Sequence, residues 1–315
     1  MDGKVMKLLI AFDGSNSSET ALSELKRAGL PQMAEALVLT VADVILPSAE
    51  AVDQPDPEWM AAVLEKAHRR AAEAVEKSHA IALRASKTVQ AEFPNWRVRA
   101  EACADSPAWG VVKRVEEWKA DLVVVGSHNR SALGRLTLGS VAQRVLDYAP
   151  TSVRIARSNT RPEGSPVRLV AGEDGSPGAE AALSALVARA WPAGSTVLLV
   201  TAIDPLMSTA TASSRSRVRR WVKSGDPNEL AWIQRMNQSS VDTLRAAGLN
   251  VSPLVTGGDP RKILLEEAER LRADCIFVGA RGVRGIERLL LGSVSTAIAA
   301  RARCSVEVVR AAETR

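Results

Sequence analysis

Short aliphatic and β-branched runs alternate along this chain with longer segments whose apolar residues recur every three or four positions, and the alternation is run through twice. Lys7 to Phe12, Leu37 to Val41, Val98 to Ala102, Asp121 to Gly126 and Ser152 to Ala156 read as strands, being short, rich in Val, Ile, Leu and Ala, and bounded by turn residues. Their counterparts are Arg168 to Ala171, Thr196 to Thr201, Asn250 to Val255, Asp274 to Gly279 and Ser305 to Arg310. Helical spacing marks Ser18 to Ala28, Ala108 to Lys119 and Val141 to Tyr148, then Pro177 to Ala190, Pro260 to Arg272 and Val294 to Arg301. One more helix per half opens on Asp56-Pro57-Glu58 and Asp226-Pro227-Asn228, where Asp suits the cap and Pro the first helical position. The first of these runs to about Gln90 and the second to Ala247, before Gly248. Strands joined by helical crossovers predict an α/β fold of two tandem Rossmann-like domains, each a doubly wound, five-stranded parallel sheet.

The duplication keeps register. Pro107, Gly126, Gly139 and Ser140 fall on Pro260, Gly279, Gly292 and Ser293 with one offset of 153 residues, while Asp13-Gly14-Ser15 falls on Asp174-Gly175-Ser176 with an offset of 161. The difference is absorbed between these motifs, which points to surface insertions such as Val44 to Asp56 and Pro205 to Asp226. Ser158 to Pro166 is polar and holds two prolines and a glycine, so it reads as the linker. The expected domains are therefore 1–160 and 161–315.

At 315 residues the chain is long enough for two such cores. No apolar run approaches the ~18 residues of a membrane span, and Met1-Asp2-Gly3-Lys4 passes into Leu8-Leu9-Ile10-Ala11 without a signal-peptide pattern. A cytoplasmic protein with no membrane partner is the expectation. Cys103, Cys275 and Cys304 are odd in number and widely spaced in apolar, strand-like surroundings, which suits buried reduced thiols. His68, His79 and His128 lack ligand spacing, and no metal site on protein side chains is expected. Lys and Arg balance Asp and Glu at 20 each over residues 1–160, whereas 21 face 16 in the remainder, so the net charge of +5 sits in the second half. Arg215, Arg217, Arg219 and Arg220 beside Trp221 and Lys223 form a basic run. A solvated insertion explains it better than a nucleic-acid contact.

Ligands of doubly wound sheets bind beyond the carboxyl ends of the strands, where strand order reverses. Asp13 and Asp174 end the first strand of their halves, and Gly126 and Gly279 end the fourth. Gly292-Ser293-Val294 then opens a helix, whose N–H groups and positive dipole end suit a phosphate, with the Ser293 hydroxyl as a further donor. Gly279-Ala280-Arg281-Gly282 supplies a turn able to wrap a phosphate chain. In the first half these roles fall to Gly126, Asn129, Gly139, Ser140 and Val141. The competing reading is that the glycines are turns and caps alone, and that Asp-Gly-Ser is an ordinary capping tripeptide. Duplication at matching topological positions favours the ligand reading.

At these residues the chain resembles the universal stress protein family in its tandem form, over essentially its whole length. The family signature is Gly, two residues, Gly, nine residues, then Gly-Ser or Gly-Thr, and Gly279-x2-Gly282-x9-Gly292-Ser293 matches it throughout. The resemblance implies an adenine-nucleotide site for ATP, with ADP or AMP as alternatives and Mg held through the phosphates. It implies that Asp13 and Asp174 contact the ribose or a phosphate-bound metal. Val41 and Ala202, the residues after strand two, would meet adenine through their backbones. It further implies that the two domains pair through their sheet edges as a pseudo-dimer within one polypeptide, leaving a homodimer open, and that the nucleotide state is passed to a protein partner the sequence does not name. Asn129 replaces the second motif glycine, and Asp105-Ser106-Pro107 replaces the Gly-x-Pro kept at Gly258-Asp259-Pro260. An Asn side chain crowds the phosphate even where its backbone tolerates the turn, so the second half is expected to bind more tightly. Glu173 beside Asp174 is an unusual extra acid there.

Phosphoryl transfer needs a positioned base and cations on the transferring group. The chain has no Gly-x4-Gly-Lys-Ser/Thr motif and no kinase-like His-Arg-Asp set, nothing positions His128 as a base, and Arg281, Arg284 and Arg288 serve equally well as solvated residues. No catalytic residue is therefore expected. The function predicted is an ATP-binding stress-response regulator without efficient catalysis, the alternatives being a nucleotide-independent interaction scaffold and a slow ATPase.

Overall fold

A computed structural model describes residues 5–44, 57–127, 138–158, 161–203, 227–281 and 291–311. Ten strands lie where the aliphatic runs fall: β1 Met6–Ala11, β2 Ala34–Asp43, β3 Arg97–Asp105, β4 Leu122–Gly126, β5 Ser152–Ala156, β6 Arg168–Gly172, β7 Thr196–Ile203, β8 Asn250–Gly257, β9 Cys275–Gly279 and β10 Ser305–Val309. The helices are α1 Asn16–Glu24, α2 Pro57–Glu92, α3 Pro107–Trp118, α4 Ser140–Tyr148, α5 Pro177–Val187, α6 Pro227–Ala246, α7 Pro260–Leu271 and α8 Ser293–Arg301. The first predicted helix stops at Glu24 and tightens into a 3-10 turn over Leu25–Arg27. The caps predicted at Asp56 and Asp226 lie outside the described residues, as does the basic run.

All ten strands join one sheet in the order β3-β2-β1-β4-β5-β10-β9-β6-β7-β8. Within each half every pairing is parallel, and the order reverses between β1 and β4 and between β6 and β9. Parallel strands need both faces covered, and helices cover them. In the first half Leu8 and Ile10 pack with α1 and α2, whereas Leu9 packs with α3 and α4. In the second, Leu169 and Ala171 pack with α5 and α6. The α3, α4, α7 and α8 face is one continuous core running through both halves, with Val145 and Leu146 of α4 in the same cluster as Ile298 and Ala299 of α8.

The halves join where β5 meets β10 antiparallel, with Val153 opposite Val308, Arg154 opposite Glu307 and Ile155 opposite Val306. All strands of one half therefore run opposite to those of the other. The side bonds of the seam are reciprocal. Arg157 N–H donates to Ser305 Oγ at 3.0 Å and Arg310 N–H to Ser152 Oγ at 3.2 Å, and each donor and acceptor is displaced from its twin by the same 153 residues. The Arg157 guanidinium reaches the Ala299 carbonyl near the end of α8, and that of Arg310 reaches the Leu146 carbonyl near the end of α4 at 3.0 Å. Each half thus caps a helix terminus of the other, where carbonyls lack helical partners. Arg27 holds the interdomain segment as well, donating to the Pro162 carbonyl at 2.7 Å and Ser165 Oγ at 2.9 Å while pairing with buried Asp274 at 3.2 Å.

The thiols follow burial. Cys275 is fully buried in β9, while Cys103 in β3 and Cys304, which precedes β10 rather than lying in it, are partly covered.

Candidate functional site

In each half the predicted residues that are described lie at or near the carboxyl ends of the strands beside the point of reversal. Asp13 and Asp174 stand two residues past β1 and β6, and Gly126 and Gly279 close β4 and β9. Both aspartates turn back on their own tripeptide: Asp13 Oδ1 accepts from Ser15 N–H at 2.9 Å, and Asp174 Oδ1 from Ser176 N–H at 3.1 Å. Partial burial pushes the Asp13 carboxyl pKa up, but hydrogen bonds from Ser15 and Ser18 outweigh it and hold the group below its ordinary range. Gly14 and Gly175 sit at φ +76° and +71°, the left-handed backbone that makes glycine the residue of choice in this turn. Ser15 and Ser176 then cap α1 and α5, accepting from Ser18 and Ala179 N–H.

The helices that follow the Gly-Ser pairs begin differently. Gly139 and Gly292 are the N-caps of α4 and α8, so these helices start from a residue with no side chain to satisfy their first N–H groups. Ser140 and Ser293 are the first helical residues and are exposed, with Val141 exposed and Val294 half-buried behind them. Gly292 N–H is tied to the Ala280 carbonyl at 2.8 Å, and Ser295 Oγ donates to the same carbonyl at 3.0 Å, which fixes the approach to α8 against the strand end.

Val41 and Ala202 occupy a place other than the one expected. Strand two of each half continues past them to Asp43 and Ile203, so they lie inside β2 and β7, in register with Cys103 and Thr256. The strand runs on because β3 and β8 still pair with it there, whereas β1 and β6 have ended. Leu39 and Val200 accept from Phe12 and Glu173 N–H at 2.9 Å each, on the β1 and β6 side. Two residues on, Val41 and Ala202 direct their backbone N–H and C=O to that same side, into the gap beside Asp13 and Asp174.

Gly126 and Gly279 have a second, structural reason to lack a side chain. A Cβ on Gly126 would stand 2.3 Å from the Ser17 carbonyl oxygen, and one on Gly279 would stand 2.4 Å from the Gly178 carbonyl carbon. Each glycine lets the start of α1 or α5 seat on the strand end. Gly178 is pressed in turn by the Arg281 carbonyl oxygen, 2.0 Å from where its Cβ would be. Asn129, Gly282, His128, Arg284 and Arg288 lie outside the described residues.

The halves differ beside the site. Glu173 holds the position of Phe12 and points inward: its carboxylate accepts from Gly175 N–H at 2.8 Å and from Ser240 Oγ of α6 at 3.1 Å, and burial pushes its pKa up. Gly258 adopts φ +138° before Asp259 caps α7, whereas Asp105 at the same place continues β3 and bonds Ser106 N–H at 2.7 Å. Asp in place of the glycine thus removes a left-handed turn from the first half.

The sequence model of the universal stress protein family matches residues 4–157 and again 168–310. A universal stress protein of Mycolicibacterium smegmatis is 27% identical over 315 residues, covering 96% of both chains. One from Mycobacterium tuberculosis is 29% identical over 216 residues, 68% of this chain and 69% of its own. Among solved structures, a universal stress protein from Archaeoglobus fulgidus superposes with a TM-score of 0.59 at 19% identity, covering 98% of this chain and 97% of its own.

Proposed function

The chain belongs to the universal stress protein family in its tandem form, and from that premise we propose that it binds adenine nucleotides and passes their state to a protein partner. The observation that carries this reading is the glycine cap of α4 and α8: at the same place in both halves, a helix N-terminus without a capping side chain faces the strand ends. The residues fit the group. N–H groups at Ser140 and Val141, and at Ser293 and Val294, would hold phosphates. The backbones of Val41 and Ala202 would read the adenine edge, and Asp13 and Asp174 would meet the ribose or a phosphate-bound Mg. ATP is the occupant this reading takes first, because the second half carries the whole Gly279-x2-Gly282-x9-Gly292-Ser293 signature, with ADP and AMP as alternatives.

The second half is the tighter site in this reading, since it keeps the signature at Gly279, Gly282, Gly292 and Ser293 where the first has Asn129. Binding without efficient turnover makes the protein a regulator in the stress response. Calorimetric titration of nucleotide-free protein with Mg-ATP, ADP and AMP tests it: saturable heat with a stoichiometry of one or two is expected, and absence of heat for all three would sink the proposal. A second reading, a nucleotide-independent scaffold, is favoured by one specific fact, that backbone packing alone accounts for Gly126 and Gly279. Absence of heat would select it, and steady phosphate release would select a slow ATPase.

A further inference from the structure

One position of the repeat meets its own twin across the seam, and its two occupants carry opposite charge. Arg154 in β5 and Glu307 in β10 are 153 residues apart, register partners, and joined Nη1 to Oε2 at 2.8 Å. Glu24 at the end of α1 binds the other side of Arg154, accepting from Nε at 2.8 Å, and Arg189 just past α5 binds the other side of Glu307. The four side chains are between 1 and 4% exposed. Charges therefore alternate along a buried row, Glu24, Arg154, Glu307, Arg189. Each half contributes one residue at or just past the end of its first helix and one from the edge strand, with the signs inverted; only Arg154 and Glu307 are repeat twins, Arg189 falling on Ala28 rather than Glu24.

We infer that this row codes the seam for unlike pairing: a first-half edge accepts a second-half edge and refuses another first-half edge, from this chain or from a second copy. Two first-half edges would set Arg154 against Arg154, and two second-half edges Glu307 against Glu307, each a like pair away from water. Other one-way contacts flank the seam, Arg27 to Asp274, Arg189 Nη1 to the Ala28 carbonyl at 2.6 Å and Ala190 N–H to the Gly29 carbonyl at 2.9 Å, but the remaining bonds along the strand pair itself do not discriminate. The Arg157 and Arg310 caps and the Ser152 and Ser305 bonds are reciprocal, so a like pair would make them all. Apolar residues of the same volume would hold such a seam at least as firmly, which leaves selectivity as what the charges add. The inference stands apart from nucleotide binding.

Full-length chains with one half reversed test it. E24R/R154E keeps the ion pair inside the first half but sets two carboxylates face to face across the seam, and R189E/E307R sets two guanidinium groups face to face there. Each is expected to melt on the order of 10 °C below the parent. Reversal of all four restores alternation and is expected to recover most of that loss. Mixed, the two half-reversed chains are expected to form a 1:1 heterodimer in native mass spectrometry that neither forms alone, because every half then finds an unlike edge. Half-reversed chains that melt with the parent, or a fourfold reversal that falls by the sum of the two losses, overturn the inference. Where a half-reversed chain does not fold, the fourfold chain decides: folded supports the rule, and unfolded overturns it.

Discussion

Gly279 lies against the backbone of Gly178 so closely that a Cβ at 279 would stand 2.4 Å from the Gly178 carbonyl carbon, whereas one at Gly292 would meet nothing nearer than 3.4 Å. The two signature glycines therefore make different experiments. Gly279→Ala must push α5 off the strand end and should destabilise by about 1–3 kcal/mol or more through overpacking, so lost binding there would not report on the ligand.

Gly292→Ala should fold within about 1 kcal/mol of the parent, the usual scale of an N-cap change, yet place a methyl at the mouth of α8. Its affinity for Mg-ATP at the second site is expected to drop at least about tenfold, the worth of one or two hydrogen bonds. Denaturation and calorimetry on one preparation separate the two effects, and unchanged affinity would remove α8 from the site.

Arg310→Met should disturb the half that has not been altered. It leaves the Leu146 and Asp147 carbonyls of α4 without their guanidinium donor, at a cost of about 1–3 kcal/mol. Faster hydrogen exchange in the last turn of α4 is the expected signature. Exchange raised around β10 alone would show that the reciprocal caps carry no stability across the seam.

Glu173 makes stability depend on pH in a definite sense. Its folded pKa is raised above the ordinary 4.5 by burial, so the native state holds the proton more firmly than the unfolded chain does. The contribution is full below 4.5 and is lost as pH rises through the raised value. Glu173→Gln keeps an oxygen for Gly175 N–H and cannot ionise. Relative to the variant, the parent should lose melting temperature as pH rises above 4.5, and a gap that stays constant with rising pH would contradict the assignment.

Thiol chemistry should report the fold. Burial pushes the Cys304 pKa up to about 12 and that of Cys275 higher still, with Cys103 raised less. Near pH 8, about where an ordinary thiol begins to ionise, alkylation of folded protein followed by peptide mass mapping is expected to label Cys103 first and Cys275 last. Early labelling of Cys275 would mean that β9 opens readily.

Much of this architecture is legible in the chain because parallel strands are buried on both faces: Leu122 to Val125 is apolar without a break, and its twin Cys275 to Val278 is too. The seam is visible there only as an oddity, a lone charge at the centre of Val153-Arg154-Ile155 and of Val306-Glu307-Val308, the same repeat position with opposite signs. Periodicity assigns a strand from its own neighbours, whereas the partners here are 153 residues apart, so the local pattern holds no hint of pairing. Gly126 misleads in a related way. A glycine at a strand end announces a close approach, and the approach recorded is the backbone at Ser17, over a hundred residues earlier. The left-handed caps Lys119 and Arg272, also twins, carry no residue-type signal at all.

Because β5 and β10 run antiparallel, the carboxyl ends of β1 and β4 open on one long edge of the sheet and those of β6 and β9 on the opposite edge. Occupants of the two halves would sit back to back, facing away from each other. Any coupling between the two mouths would have to cross the ribbon of strands and the buried ladder of charge at its middle.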